Sequence, residues 1–426
     1  MDREDRVADE GLGTRARPHL IERPRRPLPG LPRVLRDAGV VYAANGLIGV
    51  IFAATGPVAV ILAVGAQGGL SQRELASWLF GAFFLNGVLT VIACWIYRQP
   101  LAFFWTIPGT VLVGPALGHL TWPQVISAFF ATGLLILVLG LTGWVRRAMA
   151  VIPMPIVMAM VAGVFLRFGV DLVRAVHDDL AVAAPMVIAF LVLSALPTLG
   201  RWIPPLIGAL AAGAAAVALT GRFTPDAGAT SWLAAPVIQA PDWSLQAMLE
   251  LVFPLAITVL VVQNGQGIAV LRSAGHQPPI NAITIACGGW SLLTATVGCV
   301  STCLTGPTNA LLAHSGERER HYTAGIACGF LAMAVGLLAP LFTRLMLAAP
   351  GAFIATLGGL AMLRVLQASF VTAFNSRFTL GALITFIVTV ADIAIFNIGA
   401  AFWGLVAGLA VAGLLERADF QVREQA

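Results

Sequence analysis

The 426-residue chain contains no lysine, and its 25 basic residues are all arginine. Charged residues of both signs make up 11% of the sequence, against 58% hydrophobic residues. So little charge excludes an ordinary water-soluble domain. The arginines are scattered over tails and loops without an aromatic-interleaved basic stripe, which argues against a nucleic-acid partner. Cysteine is also scarce. Cys94, Cys287, Cys299, Cys303 and Cys328 lie in or beside apolar segments, and no pair has metal-site or redox spacing with a histidine, so they read as buried small hydrophobes. There is no clustered His/Asp/Glu set, no nucleophile motif and no phosphate loop. These absences exclude a metal site, a cofactor and an enzyme of any familiar kind.

What the chain has instead is long apolar runs, so its solvent is the bilayer, and its crossings must be helical to satisfy the backbone. The pattern reads as an all-α polytopic membrane protein with about fourteen segments. They run over 40–64, 76–97, 99–118, 124–144, 150–168, 181–198, 203–220, 246–271, 280–297, 299–314, 323–346, 350–366, 378–395 and 398–416. Residues 1–37 hold nine arginines, seven acidic residues and the run RPRRPLPGLPR, with no signal-peptide core, and read as a disordered cytoplasmic tail. Two seven-segment halves, 38–220 and 246–418, flank a polar linker at 221–245, and a short tail follows at 419–426. With both termini inside, the cytoplasmic side holds Arg98, Arg146, Arg147, Arg201, Arg272, Arg318, Arg320, Arg364, Arg377 and Arg417. The other side then holds only Arg73, Arg167, Arg174, Arg222 and Arg344. That asymmetry fits a plasma or inner membrane protein with cytoplasmic termini.

Seven is odd, so homologous halves would sit with opposite orientation. Pro153, Leu166 and Arg167 recur as Pro350, Leu363 and Arg364 at an offset of 197. TIPGT at Thr106–Thr110 is echoed by TGPTN at Thr305–Asn309, with prolines 199 apart. A weaker echo links TGPVAVILAVGA from Thr55 with NGQGIAVLRSAG from Asn264. Their shared order predicts an inverted repeat.

Segments three and ten each carry a helix start inside an apolar run. Thr106 and Thr305 suit the N-cap, and Pro108 and Pro307 suit the first turn. The expectation is two broken spans, strand then half-helix, whose N-termini meet at the midplane and bind an anion. Thr110, Thr308 and Asn309 follow in the same turns, and Gly109 and Gly306 would let a ligand reach the backbone. In segment eight, Gln263 and Asn264 lie about 20 Å beyond Glu250 at 1.5 Å per residue. Two adjacent amides at that depth must bond one another, a neighbouring helix or a substrate. Thr55 sits at the corresponding depth in segment one.

QPLAFFWTIPGTVL (99–112), VVQNGQGIAVLRSAGHQPP (261–279) and IGAAFWGLVAGL (398–409) together resemble the benzoate/proton symporter (BenE-type) family over about residues 38–416. The resemblance implies a fourteen-helix inverted-repeat fold shared with uracil and sulfate permeases, a core domain moving against a gate domain, and uptake of an aromatic carboxylate with a proton. Dimers occur in the related folds, so a homodimer is the expectation by analogy. Uracil permease relatives use glutamates in the eighth and tenth helices where this chain has amides and threonines, which favours an anion over a neutral nucleobase. Asp392 is the best-placed carboxylate for proton coupling, while Glu250 reads as an outer-surface residue and His119 and His314 as caps of the two half-helices. Arg167 and Arg364 read as snorkelling to the interface. Phe103, Phe104 and Trp105 could pack against an aromatic substrate. The leading reading is a transporter of benzoate or a relative. An inorganic-anion pathway for sulfate, chloride or bicarbonate uses the same helix ends.

Overall fold

The computed structural model describes residues 21–145, 153–196, 203–224, 231–314, 316–375, 377–393, 395 and 398–424. Among them, six helical stretches are long and apolar enough to cross a membrane. They are Val40–Gln67, Gln72–Tyr97, Trp122–Thr142, Met154–Asp178, Leu245–Ser273 and Gly351–Phe374. A seventh forms if Arg318–Leu337 and Ala339–Leu347, bent by 63°, are one span.

In chain order the helices are α1 (Leu31–Asp37), α2 (Val40–Ala54), α3 (Gly56–Gln67), α4 (Gln72–Tyr97), α5 (Ile107–Ala116), α6 (Trp122–Thr142) and α7 (Met154–Asp178). There follow α8 (Leu180–Ala195), α9 (Pro205–Leu219), α10 (Leu245–Ser273), α11 (Ile280–Ala295) and α12 (Gly306–Leu312). The last are α13 (Arg318–Leu337), α14 (Ala339–Leu347), α15 (Gly351–Phe374), α16 (Thr379–Ala391), α17 (Ala400–Leu415) and α18 (Arg417–Glu424). Two short strands, β1 (Phe103–Trp105) and β2 (Thr302–Leu304), precede α5 and α12.

Helix contacts sort the molecule into two bodies. In one, α6 packs on α11, α4 on α13, and α2 on α12 and α13; in the other, α7 packs on α15 and α16, α8 on α9, and α16 on α17. The bodies meet where α3 packs on α15 and α5 on α7. Close approach depends on missing side chains, as expected where lipid supplies no hydrophobic drive between helices. A Cβ on Gly288 would overlap the backbone of Leu137, and one on Gly46 would lie 2.8 Å from the Ala324 carbonyl.

The expected disordered tail needs correction over its described part. Residues 21–30 run as coil into α1, and Glu22 seats its carboxylate on the start of α11, accepting from the Asn281 and Ala282 N–H groups at 3.0 and 2.9 Å. A helix N-terminus lacks intrahelical acceptors and attracts a carboxylate, which orders a polar segment that composition alone would leave free. Residues 1–20 lie outside the described residues. The described part of the 221–245 linker has no regular structure before α10, and it is pinned to the helix ends. Ala234 N–H donates to Leu337 O at 2.8 Å and Gln239 N–H to Thr296 O at 2.7 Å.

Candidate functional site

Both expected breaks are present. β1 and β2 pair antiparallel, with Phe103 opposite Leu304, Phe104 opposite Cys303 and Trp105 opposite Thr302. Each strand then turns into a short helix through a threonine N-cap and a proline at the second helical position. Thr106 Oγ1 accepts from Gly109 N–H at 3.1 Å, whereas Thr305 makes no such side-chain cap.

A two-stranded ribbon has two open edges, which cannot stay bare away from water. Polar side chains close them. Thr90 Oγ1 accepts from Phe103 N–H at 2.8 Å and donates to Phe103 O at 3.1 Å. Ser291 Oγ accepts from Thr302 N–H at 2.9 Å, and Asn264 Oδ1 accepts from Leu304 N–H at 2.8 Å. Asn309 Oδ1 accepts from Ala102 N–H at 2.8 Å, just ahead of β1. Asn86 Oδ1 accepts from Thr302 Oγ1 at 2.8 Å. Asn264 and Asn309, expected at the ligand, thus spend their amide oxygens on the ribbon backbone. Thr90, Ser291 and Asn86 escaped sequence reasoning because hydroxyls and amides in apolar helices carry no local sign of what they face.

Beside the ribbon lies a small cavity of about 20 Å³, lined by Phe52, Ala53 and Pro57 near the α2–α3 break, by Phe104, Trp105 and Ile107, and by Gln263, Thr305, Pro307 and Thr308. No charged side chain lines it. Of the expected site residues, Gln263, Thr305 and Thr308 come together here. Most of the others bond within the protein and do not line it. Thr106 Oγ1 donates to Thr258 Oγ1 at 3.0 Å, Thr110 Oγ1 to Thr106 O at 3.0 Å, and Thr55 Oγ1 to Ile51 O at 2.9 Å, while Pro108 shapes the first turn of α5. The space beside Gly109 and Gly306 is occupied by protein. A Cβ on Gly109 would lie 2.9 Å from Leu255 Cδ2, and one on Gly306 2.5 Å from Gln266 Cγ. Trp105 Nε1 is buried with no hydrogen-bond partner. The first N–H groups of α5 and α12 have no acceptor within their own helices.

Between the two bodies, at the end of the molecule reached by Gln67, opens a crevice of about 300 Å³. It shares Gln67, Pro115, Arg167, Asp392 and Gly399 with a second hollow of about 460 Å³ that also reaches His119. Arg167 and Asp392 face each other across 3.7 Å at this mouth, both more than half exposed. Glu250 requires a correction. Expected at the outer surface, it is 5% exposed, and its Oε2 lies 2.8 Å from His119 Nε2. Their separation of 131 positions hides this pair from any sequence window. Arg364 bonds Gln367 Oε1 at 3.1 Å, and His314 is exposed after α12.

Half-helices that begin at a buried ribbon, beside an uncharged cavity, with a crevice between two bodies, belong to a multi-pass membrane protein, and its likeness to known proteins makes it a membrane transport protein. Solved structures share this fold. The transmembrane domain of a cyanobacterial bicarbonate transporter, BicA, aligns with a TM-score of 0.60 at 16% identity, covering 86% of this chain and 97% of that one. SLC26A9 aligns at 0.63 and 12% identity, covering 89% of this chain and 66% of that one. The family model for the benzoate membrane transport protein, BenE, matches residues 37–414, and the chain belongs to that family. The inner membrane protein YdcO of Escherichia coli is 30% identical over 348 residues, covering 80% of this chain and 87% of that protein. The benzoate membrane transport protein of Acinetobacter baylyi is 26% identical over the same length, covering 80% and 86%.

Proposed function

We propose that the protein is a secondary transporter that imports a small organic anion, benzoate or a related aromatic carboxylate, together with a proton by alternating access. The observation that carries this reading is the cavity at the half-helix starts. Phe52, Phe104 and Trp105 offer apolar walls for a ring, while Gln263, Thr305, Thr308 and the start of α12, where Thr305 makes no side-chain cap, offer a polar end without a cation. A carboxylate held by helix dipoles and hydroxyls keeps enough mobility to leave, which transport requires as much as capture. At about 20 Å³ the cavity has room for a water molecule and not for a ring, so the substrate-bound state is a wider one.

The same reading takes the chain as fourteen crossings in two inverted halves, with α7–α9 and α15–α17 as gate and the remaining spans as core. The packing supports it. Exchanging the first and second sets of seven segments turns the α6–α11 contact into α13–α4, and the α8–α9 contact into α16–α17. The likeness to a bicarbonate transporter favours one second reading, an inorganic anion held at the same helix ends.

Uptake of labelled benzoate into proteoliposomes holding the full chain, with and without an inward proton gradient and with empty vesicles subtracted, tests the reading. Saturable, gradient-stimulated uptake is expected, and Gln263→Ala should raise KM about tenfold, the size of one lost hydrogen bond to a charged group. Bicarbonate or sulfate flux without benzoate flux would replace the substrate with an inorganic anion.

A further inference from the structure

We propose that His119 and Glu250 hold the coupling proton and act as a latch at the crevice, an inference that rests on the symport reading and gives it its titrating group. Asp392, the carboxylate favoured by sequence, is more than half exposed beside Arg167. Water screens a charge in that setting, so it couples weakly to a change in the crevice.

Glu250 is placed differently. It lies in the second turn of α10, with His119 against Oε2 and the Gly399 backbone against Oε1, so close that a Cβ on Gly399 would be 2.6 Å from that oxygen. His119 follows α5, whose other end begins at the cavity; Gly399 precedes α17 in the opposite body. One carboxylate therefore joins the substrate half-helix to the facing body. The elements packed on this turn, α5 and α6, carry no ionisable side chain within their own lengths. The charged groups lining the same crevice are Arg167, Asp171, Arg174 and Asp392, and Asp242 lies ahead of α10 with its N–H on Pro123 O.

The physical sequence follows from charge. With neutral His119 the pair bears one negative charge, which a dry interface tolerates poorly. One proton taken from the crevice onto the imidazole converts it to an imidazolium and carboxylate pair of zero net charge, and the Gly399 contact can then close over it. Loss of that proton restores the net charge, draws water in and favours the open crevice. Proton occupancy and crevice closure are thereby linked, each favouring the other by the same factor.

The test compares wild type with Glu250→Gln and His119→Gln in proteoliposomes. His119→Gln retains a hydrogen-bond donor but cannot take a proton, so a purely structural pair would leave gradient stimulation intact. The latch predicts that both variants lower the ratio of gradient-driven uptake to benzoate counterflow at least tenfold. A ratio within twofold of wild type in both variants would overturn it. A second arm needs no substrate. All five native cysteines are buried, so Val170→Cys, exposed on the crevice, reports its opening to a membrane-impermeant thiol reagent. After correction for thiol ionisation, labelling should be at least threefold slower at pH 5.5 than at pH 8, and Glu250→Gln, which leaves a protonated His119 without its counter-charge, should remove or invert that difference. An unchanged difference in Glu250→Gln overturns the latch even if benzoate proves not to be the substrate.

Discussion

Asn264 and Gln263 are adjacent in sequence and divide two tasks. Asn264 is 2% exposed, with Oδ1 on the Leu304 N–H and Nδ2 3.7 Å from Cys287 Sγ, so it holds β2 in place. Gln263 lines the cavity. Asn264→Ala would leave the Leu304 N–H buried without an acceptor, at a cost of about 1–3 kcal/mol. The expected outcome is a lowered midpoint in thermal unfolding in detergent together with lost uptake. Gln263→Ala should weaken substrate affinity while leaving that midpoint nearly unchanged. An adjacent pair of amides in an apolar segment was legible as important. Which of the two faces the ribbon was not, because it depends on the turn of α10 about its axis, and that helix carries π-type turns at Met248–Val252 and Thr258–Asn264.

At the scale of elements, the helix starts were the most legible feature. A threonine two residues before a proline in an apolar run fixes where a helix can begin, and both half-helices start there. The loop between α10 and α11 was not legible in this way. It buries His276, whose Nε2 lies 3.1 Å from His321 Nδ1. Burial first, then the neighbouring His321, Arg318 and Arg26, pushes the His276 imidazole down to about 4 from the ordinary 6.5. The unfolded chain takes a proton on this residue near pH 6.5 while the folded chain refuses it until about 4. The neutral ring's contribution to stability is thus complete above about pH 6.5 and is lost as pH falls toward 4. His276→Asn should show a shallower fall in unfolding midpoint between pH 6.5 and 4 than wild type. An equally steep fall would remove His276 as the cause.

The proposed transport cycle requires the two bodies to move. The cavity is too small for an aromatic acid, and the proposed cycle takes the crevice between α3, α5 and α10 on one side and α7, α16 and α17 on the other as its path to one face. Gln67 and Ala401 line opposite walls. A bifunctional thiol reagent applied to Gln67→Cys with Ala401→Cys should stop benzoate uptake. The same reagent on either single variant should leave most of it. Arrest by the single variants alone would mean that bulk in the crevice, and not a tether between bodies, blocks the path.

The sequence by itself determined the solvent, the breaks and the family. Scarce charge and long apolar runs require a bilayer, threonine and proline at matched places require interrupted spans, and three motifs point to one family. Only the tertiary structure decided which polar groups serve the backbone and which face the cavity. It also set Glu250 beside His119 and Gly399, and brought residues 21–37 onto the helix ends. The reason is physical. Helix periodicity and capping are local and leave their mark within a few residues, whereas a buried polar group's role depends on whichever distant chain segment arrives to satisfy it.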